Sequence, residues 1–240
     1  MWREGKEEGQ EKVNVVLGSI FRNSTSYLNT CFKQLAMLND ELVSRGHSFR
    51  MVFAEGDSVD TTRYELDKFA KGRDITVIDR SHGGPHWGSA DIQERWEALA
   101  WVCNGVLEQI RIDDNAFIYV ESDLVWDTST MLTLLDDLQD KPAVSPLVLH
   151  ADGWFWDGNG FRIDGQGFGV YPPYHHKWVE NGFTQMGSVG SCCVMWSDIG
   201  RLCRFAGPIN HWVAFCNAVY QKGFSVWLDS TQKIIHPIRS

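Results

Sequence analysis

The segment Glu121-Ser122-Asp123 places two carboxylates two residues apart, directly after an apolar run at 116–120. Charges at the end of a buried strand are costly unless a partner compensates them. Mg²⁺ or Mn²⁺ would do so, because such ions prefer oxygen ligands and take one or two carboxylates together with phosphate oxygens. The segment therefore predicts a metal-bound diphosphate. The alternative is a solvated strand end, or carboxylates that cap the next helix.

His236 follows a second apolar run, at 233–235, near the end of the chain. A neutral imidazole is a competent metal ligand, so His236 is a candidate third ligand beside Glu121 and Asp123. The alternative is a histidine with no role, which is common near a terminus.

Acidic and hydroxyl side chains also crowd the stretch at 55–62, EGDSVDTT, between a predicted strand and a predicted helix. Glu55 is suited to accept hydrogen bonds from a nucleobase or a ribose. The structural alternative is that Ser58 or Asp60 caps the helix that begins near Thr62.

These segments need elements that bring them together. Apolar, strand-like runs alternate with segments of helical periodicity. Strands are predicted at 13–20, 49–54, 75–78, 116–120, 143–149, 189–196 and 225–228, and helices at 27–45, 63–71, 92–110, 129–138 and 212–222. This alternation predicts a single α/β domain with a Rossmann-like, largely parallel sheet flanked by helices. Ligands of such sheets bind beyond the carboxyl ends of the strands, where the turns SIFRNS, EGDSVDTT and ESD should converge.

The composition narrows the class of protein. The 240 residues are 43% hydrophobic and 22% charged, which excludes global disorder, and the net charge of −9 argues against non-specific nucleic-acid binding. No apolar run reaches the ~18 residues of a membrane span, and the charged tail at 1–12 is no signal peptide, so we expect a cytoplasmic protein. The six cysteines are expected to be reduced and buried, without a zinc site.

In motif order the chain resembles GT-A glycosyltransferases of the family-two type, and more closely the fungal mannan-polymerase α-mannosyltransferase family. The resemblance rests on VVLGSIFRNSTSYL, FAEGDSVDTT, RWEALAWVCNGVL, FIYVESDLVW, AVSPLV, WFWDGNGF, GSVGSCCVMWSDIGRL and YQKGFSVWLDSTQKIIHP, across roughly 13–237. It implies a nucleotide-diphosphate sugar donor, an Mn²⁺ or Mg²⁺ ion, a nucleotide-binding half at 13–125 and an acceptor half at 126–240.

Site residues follow from the resemblance position by position. Glu55 stands at the acidic position that contacts the nucleobase, with Asp57 and Asp60 in the same turn. Glu121 and Asp123 stand at the two carboxylates of the DxD metal motif, Asp123 as the direct ligand and Glu121 nearer the ribose or a metal-bound water. His236 takes the position of the late metal-ligand histidine. Glu121 departs from the family's aspartate by one methylene, which the site must accommodate.

Further donor contacts are expected from the turn after the first strand and from an aromatic insert. Ser19 and Arg22 belong to the turn, and Trp154 lies in the Gly- and Trp-rich insert at 150–185, where a ring can stack on a sugar or a base. Arg80, His82 and His86 flank a loop that either binds phosphate or acceptor, or is plain surface.

The catalytic base is the main departure from the family. Many relatives carry an acidic pair where this chain has Asn210-His211. His211 is the natural replacement, since a helix N-terminus would lower its pKa and keep it neutral, and Asp157 is its rival. If neither serves, the enzyme is of the retaining type, which needs no such base.

Two other classes stay open. A nucleotidyltransferase shares the sheet and the carboxylate–metal site, but LGSIFRNS lacks the Gly-rich, basic loop expected after its first strand. A carbohydrate-binding protein of the same fold would lack turnover. The acceptor is equally open: a glycan, a protein, or a hydroxylated base in DNA in the manner of a viral DNA-modifying enzyme, for which the stretch at 175–178, HHKW, is a modest basic candidate. The oligomeric state is not predicted.

Overall fold

A computed structural model describes residues 12–88, 91–156, 160–163 and 182–237. Its strands and helices alternate along the chain and share one eight-stranded sheet, with the order β3-β2-β1-β4-β7-β5-β8-β6. The strands are β1 Asn14–Phe21, β2 Ser48–Glu55, β3 Ile75–Asp79, β4 Ala116–Val120, β5 Ala143–His150, β6 Phe183–Met186, β7 Cys192–Trp196 and β8 Val226–His236. The helices are α1 Leu28–Ser44, α2 Thr62–Ala70, α3 Gln93–Leu107, α4 Thr128–Asp136, α5 Ser197–Leu202 and α6 His211–Gln221.

The central strands are buried on both faces because helices cover both sides of the sheet. All five residues of β4 are buried, which accounts for its unbroken apolar sequence. Helix α1 buries only one face, with Leu35, Leu38 and Leu42 against the sheet. Gly18 of β1 lets α3 approach closely, since a Cβ there would lie 2.0 Å from Cγ1 of Val106.

The predicted α/β class is confirmed, with a more mixed sheet than the alternation indicated. β3, β2, β1 and β4 are parallel neighbours, and β5 runs parallel to β8. β7 runs antiparallel between β4 and β5, and β6 runs antiparallel along β8. The sequence predicted two separate runs near the end of the chain, but they form the single strand β8, whose register shifts opposite Pro146 and Leu147.

This topology brings distant parts of the sequence to one edge of the sheet. Because β7 is antiparallel to both β4 and β5, those two strands point the same way, and β8 follows β5 in parallel. The end of β8 therefore lies at the same edge as the end of β4. His236 pairs with His150 in register at the end of β5.

Two further expectations can be compared with the structure. All six cysteines are buried and unbridged, as the sequence predicted. Within the described ranges, no helix has the length and apolarity needed to cross a membrane. The predicted tail at 1–12 lies outside the described residues except for Lys12.

Candidate active site

A cavity of about 210 Å³ opens at the edge where β1, β2 and β4 end. Its walls come from the turns after these strands, from the loop after β3, from α3 and from the first residue of α6. The arginines, histidines and carboxylates of the wall are Arg22, Arg80, His82, His86, Arg95, Glu121, Asp123 and His211. Three guanidinium groups in a chain of net charge −9 make this edge suitable for an anionic ligand.

The three predicted polar turns do meet at this edge. The backbone N–H of Asn23 donates to Oγ of Ser58 at 3.0 Å, and that of Ser24 donates to Oγ1 of Thr62 at 2.6 Å, so the turns after β1 and β2 are bonded together. The hydroxyl of Tyr27 lies 3.3 Å from that of Ser122, which ties the same region to the segment after β4.

Asp123 and His236 form the clearest pair in the site. Nε2 of His236 lies 3.2 Å from Oδ2 of Asp123, and both side chains are largely buried. Nδ1 of His236 lies 3.1 Å from the carbonyl oxygen of Pro237. A carbonyl can only accept, so Nδ1 carries a proton, and a neutral ring presents the lone pair of Nε2 to the carboxylate. Two acceptors face each other stably only with a proton or a cation between them.

The donor set of this pair fits a divalent cation. A carboxylate oxygen and an imidazole nitrogen are ligands that Mn²⁺ accepts, and the carbonyl bond at Nδ1 is the usual support of a metal-binding histidine. Glu121 lines the same cavity, and its backbone N–H donates to the carbonyl of Ser191 at 2.9 Å. In the part of the chain that the structure describes, no three His, Cys, Asp or Glu side chains form a complete metal site. An ion here would need further ligands from a substrate or water.

An aromatic ring supports the histidine of this pair. The ring of Trp156 stacks on that of His236, with 3.7 Å between centroids and 18° between planes. His150 packs edge-on against the same tryptophan at 4.3 Å. Trp154, the ring predicted to contact the donor, is 60% exposed and does not line the cavity. Within the motif WFW, the structure thus brings Trp156 to the site.

The carboxylates of Glu55 and Asp60, in the acidic turn after β2, accept hydrogen bonds mainly from nearby backbone N–H groups. Glu55 is 5% exposed and accepts from the backbone N–H of Ser58 at 3.3 Å. Its Oε2 lies 3.9 Å from Nη1 of Arg63. Asp60 accepts from the backbone N–H groups of Thr25 and Thr62 at 3.1 and 2.9 Å. Desolvation opposes its ionisation, but these donors outweigh it and hold the pKa of Asp60 below its ordinary value. The structural alternative named Ser58 or Asp60 as the helix cap, but Thr61 is the N-cap of α2, and Asp60 bonds to the first residue of the helix from the position before the cap.

Asp57 anchors the loop that follows β3. Its carboxylate accepts from the backbone N–H groups of His82 at 2.9 Å and Gly83 at 3.1 Å. Desolvation opposes ionisation, yet the two donors, the His82 ring and Arg22 together lower the pKa of Asp57. Asp57 also has φ = 57°, a left-handed conformation that aspartate tolerates better than most residues. The loop at 80–88 is therefore built onto the turn after β2.

Arg22 holds the other side of this loop. Its guanidinium donates to the carbonyl oxygens of Gly84 at 2.8 Å and Pro85 at 3.1 Å, and lies 3.4 Å from Nε2 of His82. Arg22, which the sequence analysis expected to contact the donor, thus also positions the loop over the cavity. Ser19 is 1% exposed, does not line the cavity, and its hydroxyl has no hydrogen-bond partner in the described chain.

His211 lies deep in the cavity wall at the first position of α6. Asn210 caps that helix, its side-chain oxygen accepting from the N–H groups of Trp212 and Val213 at 3.0 and 3.4 Å. Burial first, and Arg95 second, lower the pKa of His211 to about 3. A lowered pKa favours the neutral ring, and its main cause is burial, not the helix terminus that the sequence analysis invoked. Its rival Asp157 lies outside the described residues, as does the stretch at 175–178.

Sequence reasoning missed two residues of this wall. Arg95 lies in α3 and donates to the carbonyl of Gly88 at 2.7 Å, which fixes the far end of the loop. Tyr27 lies between the turns after β1 and β4. Both lie in stretches that carry the family resemblance, but nothing in those stretches assigns either of them a role, and each reaches the site through contacts with another element. Only a tertiary arrangement reveals them.

Comparison with known proteins gives fold similarity without sequence similarity. No family model and no curated protein matches the sequence. S. aureus TarS, residues 1–349, matches with a TM-score of 0.59 and 10% identity over 94% of this chain and 60% of that chain. A mycobacterial protein matches with a TM-score of 0.60 and 13% identity, over 96% and 69% of the two chains. GalNAc-T7, solved with UDP, GalNAc and Mn²⁺, matches with a TM-score of 0.58 and 11% identity, over 95% of this chain and 44% of that chain.

The chain shares the GT-A fold with these solved structures. TarS has also been solved in complex with UDP-GlcNAc. The chain spans 60% of the TarS fragment and less than half of GalNAc-T7. At such low identity the likeness establishes the fold alone, and it does not support the closer link to the mannan-polymerase family.

Proposed function

We propose that this protein is a glycosyltransferase that moves a sugar from a nucleotide-diphosphate sugar to a hydroxyl acceptor, with a divalent cation. The observation that carries the proposal is the 3.2 Å contact between Asp123 and His236 at the edge where β1, β2 and β4 end. The GT-A fold and the nucleotide complexes of TarS and GalNAc-T7 support it. In this proposal 13–125 is the nucleotide-binding half and 126–240 the acceptor half.

Asp123 and His236 would hold the cation, with Glu121 nearer the ribose or a metal-bound water. When bound, Mn²⁺ or Mg²⁺ supplies Lewis-acid stabilisation of the departing diphosphate. The protein's own contribution is to orient these groups: Pro237 fixes the tautomer of His236, and Trp156 covers one face of its ring. Both side chains are shielded, which strengthens their interaction with a cation.

The donor nucleotide would lie over the turns after β1 and β2. Glu55 is the proposed partner of the nucleobase or ribose, and Arg22 and Arg80, which line the cavity, are the proposed partners of the diphosphate. Asp57 and Asp60 contribute by shaping the turn, because their carboxylates are already bonded to backbone N–H groups. Ser19 and Trp154 remain predictions of the sequence.

The transferred sugar and the acceptor are open within this proposal. The resemblance in motif order makes GDP-mannose one donor to test, and the neighbours make UDP-GlcNAc another. A glycan, a protein and a hydroxylated DNA base remain the acceptor classes. Whether transfer inverts or retains the anomeric centre depends on the base, for which His211 and Asp157 are the sequence candidates.

Thermal unfolding with a donor panel tests the proposal. UDP-glucose, UDP-GlcNAc and GDP-mannose are each added with Mn²⁺ and with EDTA. A donor at 100 times its Kd stabilises the fold by ~2.7 kcal/mol, which raises Tm by about 5–10 °C for a chain of this size. Asp123→Asn and His236→Gln should remove the Mn²⁺-dependent part of the shift.

The matched control is Asp113→Asn, which removes one carboxylate from an exposed position before β4, at the opposite end of that strand. It should bind the donor as the wild type does. A shift that is equally large in EDTA and in both site variants would refute the metal assignment. No shift with any donor in the wild type would refute the proposed function itself.

A further inference from the structure

His211 is a buried polar side chain in the wall of the cavity. It is 5% exposed and lines the cavity at the edge of the sheet. Neither Nδ1 nor Nε2 has a hydrogen-bond partner among the residues that the structure describes. Its ring packs near the apolar rings of Phe205 and Trp212, with centroids 5.7 and 6.3 Å away. Buried polar groups nearly always find partners, and the adjoining cavity is the place from which a ligand could supply one to His211.

The surroundings define what kind of group that partner is. A neutral imidazole offers one N–H donor and one lone pair. Arg95 of α3 places a positive charge near the ring, and burial disfavours a charge on the ring itself. Glu121 and Asp123 line the same cavity beyond β4, and Arg22 and His82 line it from the side of the loop. A ligand group with a positive charge is therefore unfavourable next to His211, because the charge of Arg95 would repel it.

A hydroxyl group satisfies both ring nitrogens, because it accepts from one and donates to the other. A phosphate or carboxylate oxygen only accepts and would leave the lone pair unpaired. An ammonium group only donates and is repelled by Arg95. A sugar presents adjacent hydroxyls, so it can meet both nitrogens at once.

We propose that His211 holds a sugar hydroxyl by donating from one ring nitrogen and accepting at the other, and that it does not take a proton from the acceptor. The inference rests on the proposed glycosyl transfer and assigns to His211 a positioning role instead of the role of base. The hydroxyl belongs either to the transferred sugar of the donor or to a sugar acceptor, and both present the same chemistry.

Two substitutions separate holding a hydroxyl from accepting a proton. His211→Gln keeps an uncharged donor and acceptor but cannot serve as a base, and His211→Phe removes both groups at similar volume. Calorimetry with Mn²⁺ compares UDP-glucose with UDP and GDP-mannose with GDP. The ratio of affinities within each pair reports contacts to the donor sugar. Donor turnover with methyl α-mannoside and methyl β-glucoside, followed as KM and kcat, reports contacts to an acceptor sugar.

The Phe variant should bind UDP and GDP as the wild type does. It should lose about 10-fold or more either in the affinity ratio, if the hydroxyl is the donor's, or in KM for the glycoside, if it is the acceptor's. The Gln variant should stay within about threefold on the same measure. That pattern also excludes a merely structural role, since misfolding would weaken UDP binding as well.

Two results overturn the inference while leaving the proposed function intact. One is a Phe variant with unchanged affinity ratios and unchanged acceptor KM. The other is a Gln variant whose kcat falls about 10²- to 10⁴-fold with donor affinity and KM preserved, which is the behaviour of a lost general base. A wild type that binds neither UDP nor GDP overturns the inference together with the proposed function.

Discussion

Gly105 of α3 lies where the side chain of Arg80 crosses the helix on its way to the cavity. A Cβ at this position would lie 2.0 Å from Nε and 2.7 Å from Cζ of Arg80. In its present place the guanidinium pairs with Glu108 and lies 5.0 Å above the ring of Trp101. Gly105→Ala must therefore displace Arg80, and the effect of the substitution should depend on whether Arg80 is present.

The magnitude follows from two opposing effects, the higher helix propensity of alanine and the displacement of Arg80. Alanine is better than glycine inside a helix by about 1 kcal/mol. Moving Arg80 breaks its pair with the half-exposed Glu108, which contributes about 0.2–1 kcal/mol, and its stacking on Trp101, which contributes about 0.5–1 kcal/mol. Gly105→Ala alone should be neutral or destabilising by up to about 1 kcal/mol. In an Arg80→Ala background the same change should stabilise by about 1 kcal/mol.

Urea unfolding of the wild type, both single variants and the double variant measures this coupling directly. The expected coupling free energy is about 1–2 kcal/mol. Donor affinity adds a second measurement, since Arg80 lines the cavity and Gly105→Ala should weaken binding as Arg80→Ala does. If Gly105→Ala stabilises equally in both backgrounds, Arg80 does not cross α3 as described and the reasoning is wrong.

Two further predictions concern charges away from the cavity. Burial, then Asp229 and Asp136, raise the pKa of Asp137 from 3.8 to about 6, so its carboxylate costs stability above pH 6 and costs nothing below about pH 4. Asp137→Asn should raise Tm by about 2–4 °C at pH 7.5, which corresponds to ~1 kcal/mol after allowance for solvent screening. At pH 4 the substitution should leave Tm unchanged. An equal gain at both pH values would contradict this. Asp114 is 5% exposed and accepts from Nε of Arg50 at 3.1 Å, so Asp114→Asn should lower the free energy of unfolding by about 3–5 kcal/mol in urea with donor affinity unchanged, and a loss below 1 kcal/mol would contradict the buried pair.

Local pattern predicted most elements of the fold, but not β6 or α5. Apolar runs bounded by polar turns predicted β1, β2 and β4, because strands buried on both faces are mostly apolar. The neighbour relations of β6 and β7 were not predictable in the same way. An antiparallel strand inserted between two parallel ones depends on which sheet edges are free once the other elements have packed, and that information is spread over the whole chain.

For the candidate site, too, the residue types were evident from the sequence, but the contacts between them were not. Glu121, Asp123 and His236 carry chemistry that is evident from residue type and from the strand ends that they follow. The contact between the last two joins positions more than a hundred residues apart, which only the order of the strands brings within 3.2 Å.

The sequence by itself determined which residue types stand at the strand ends, and with them the α/β class and the edge of the sheet at which we propose that ligands bind. Tertiary structure alone decided which of those residues face the cavity. Asp57 and Asp60 were candidates for donor binding in sequence, as Glu121 was, yet their carboxylates bond to backbone N–H groups of neighbouring turns. His211 has the residue type of a base, but its burial and the charge of Arg95 lower its pKa and make its ring harder to protonate. The physical reason is that the pKa and the free hydrogen-bonding capacity of a side chain depend on groups distant in sequence.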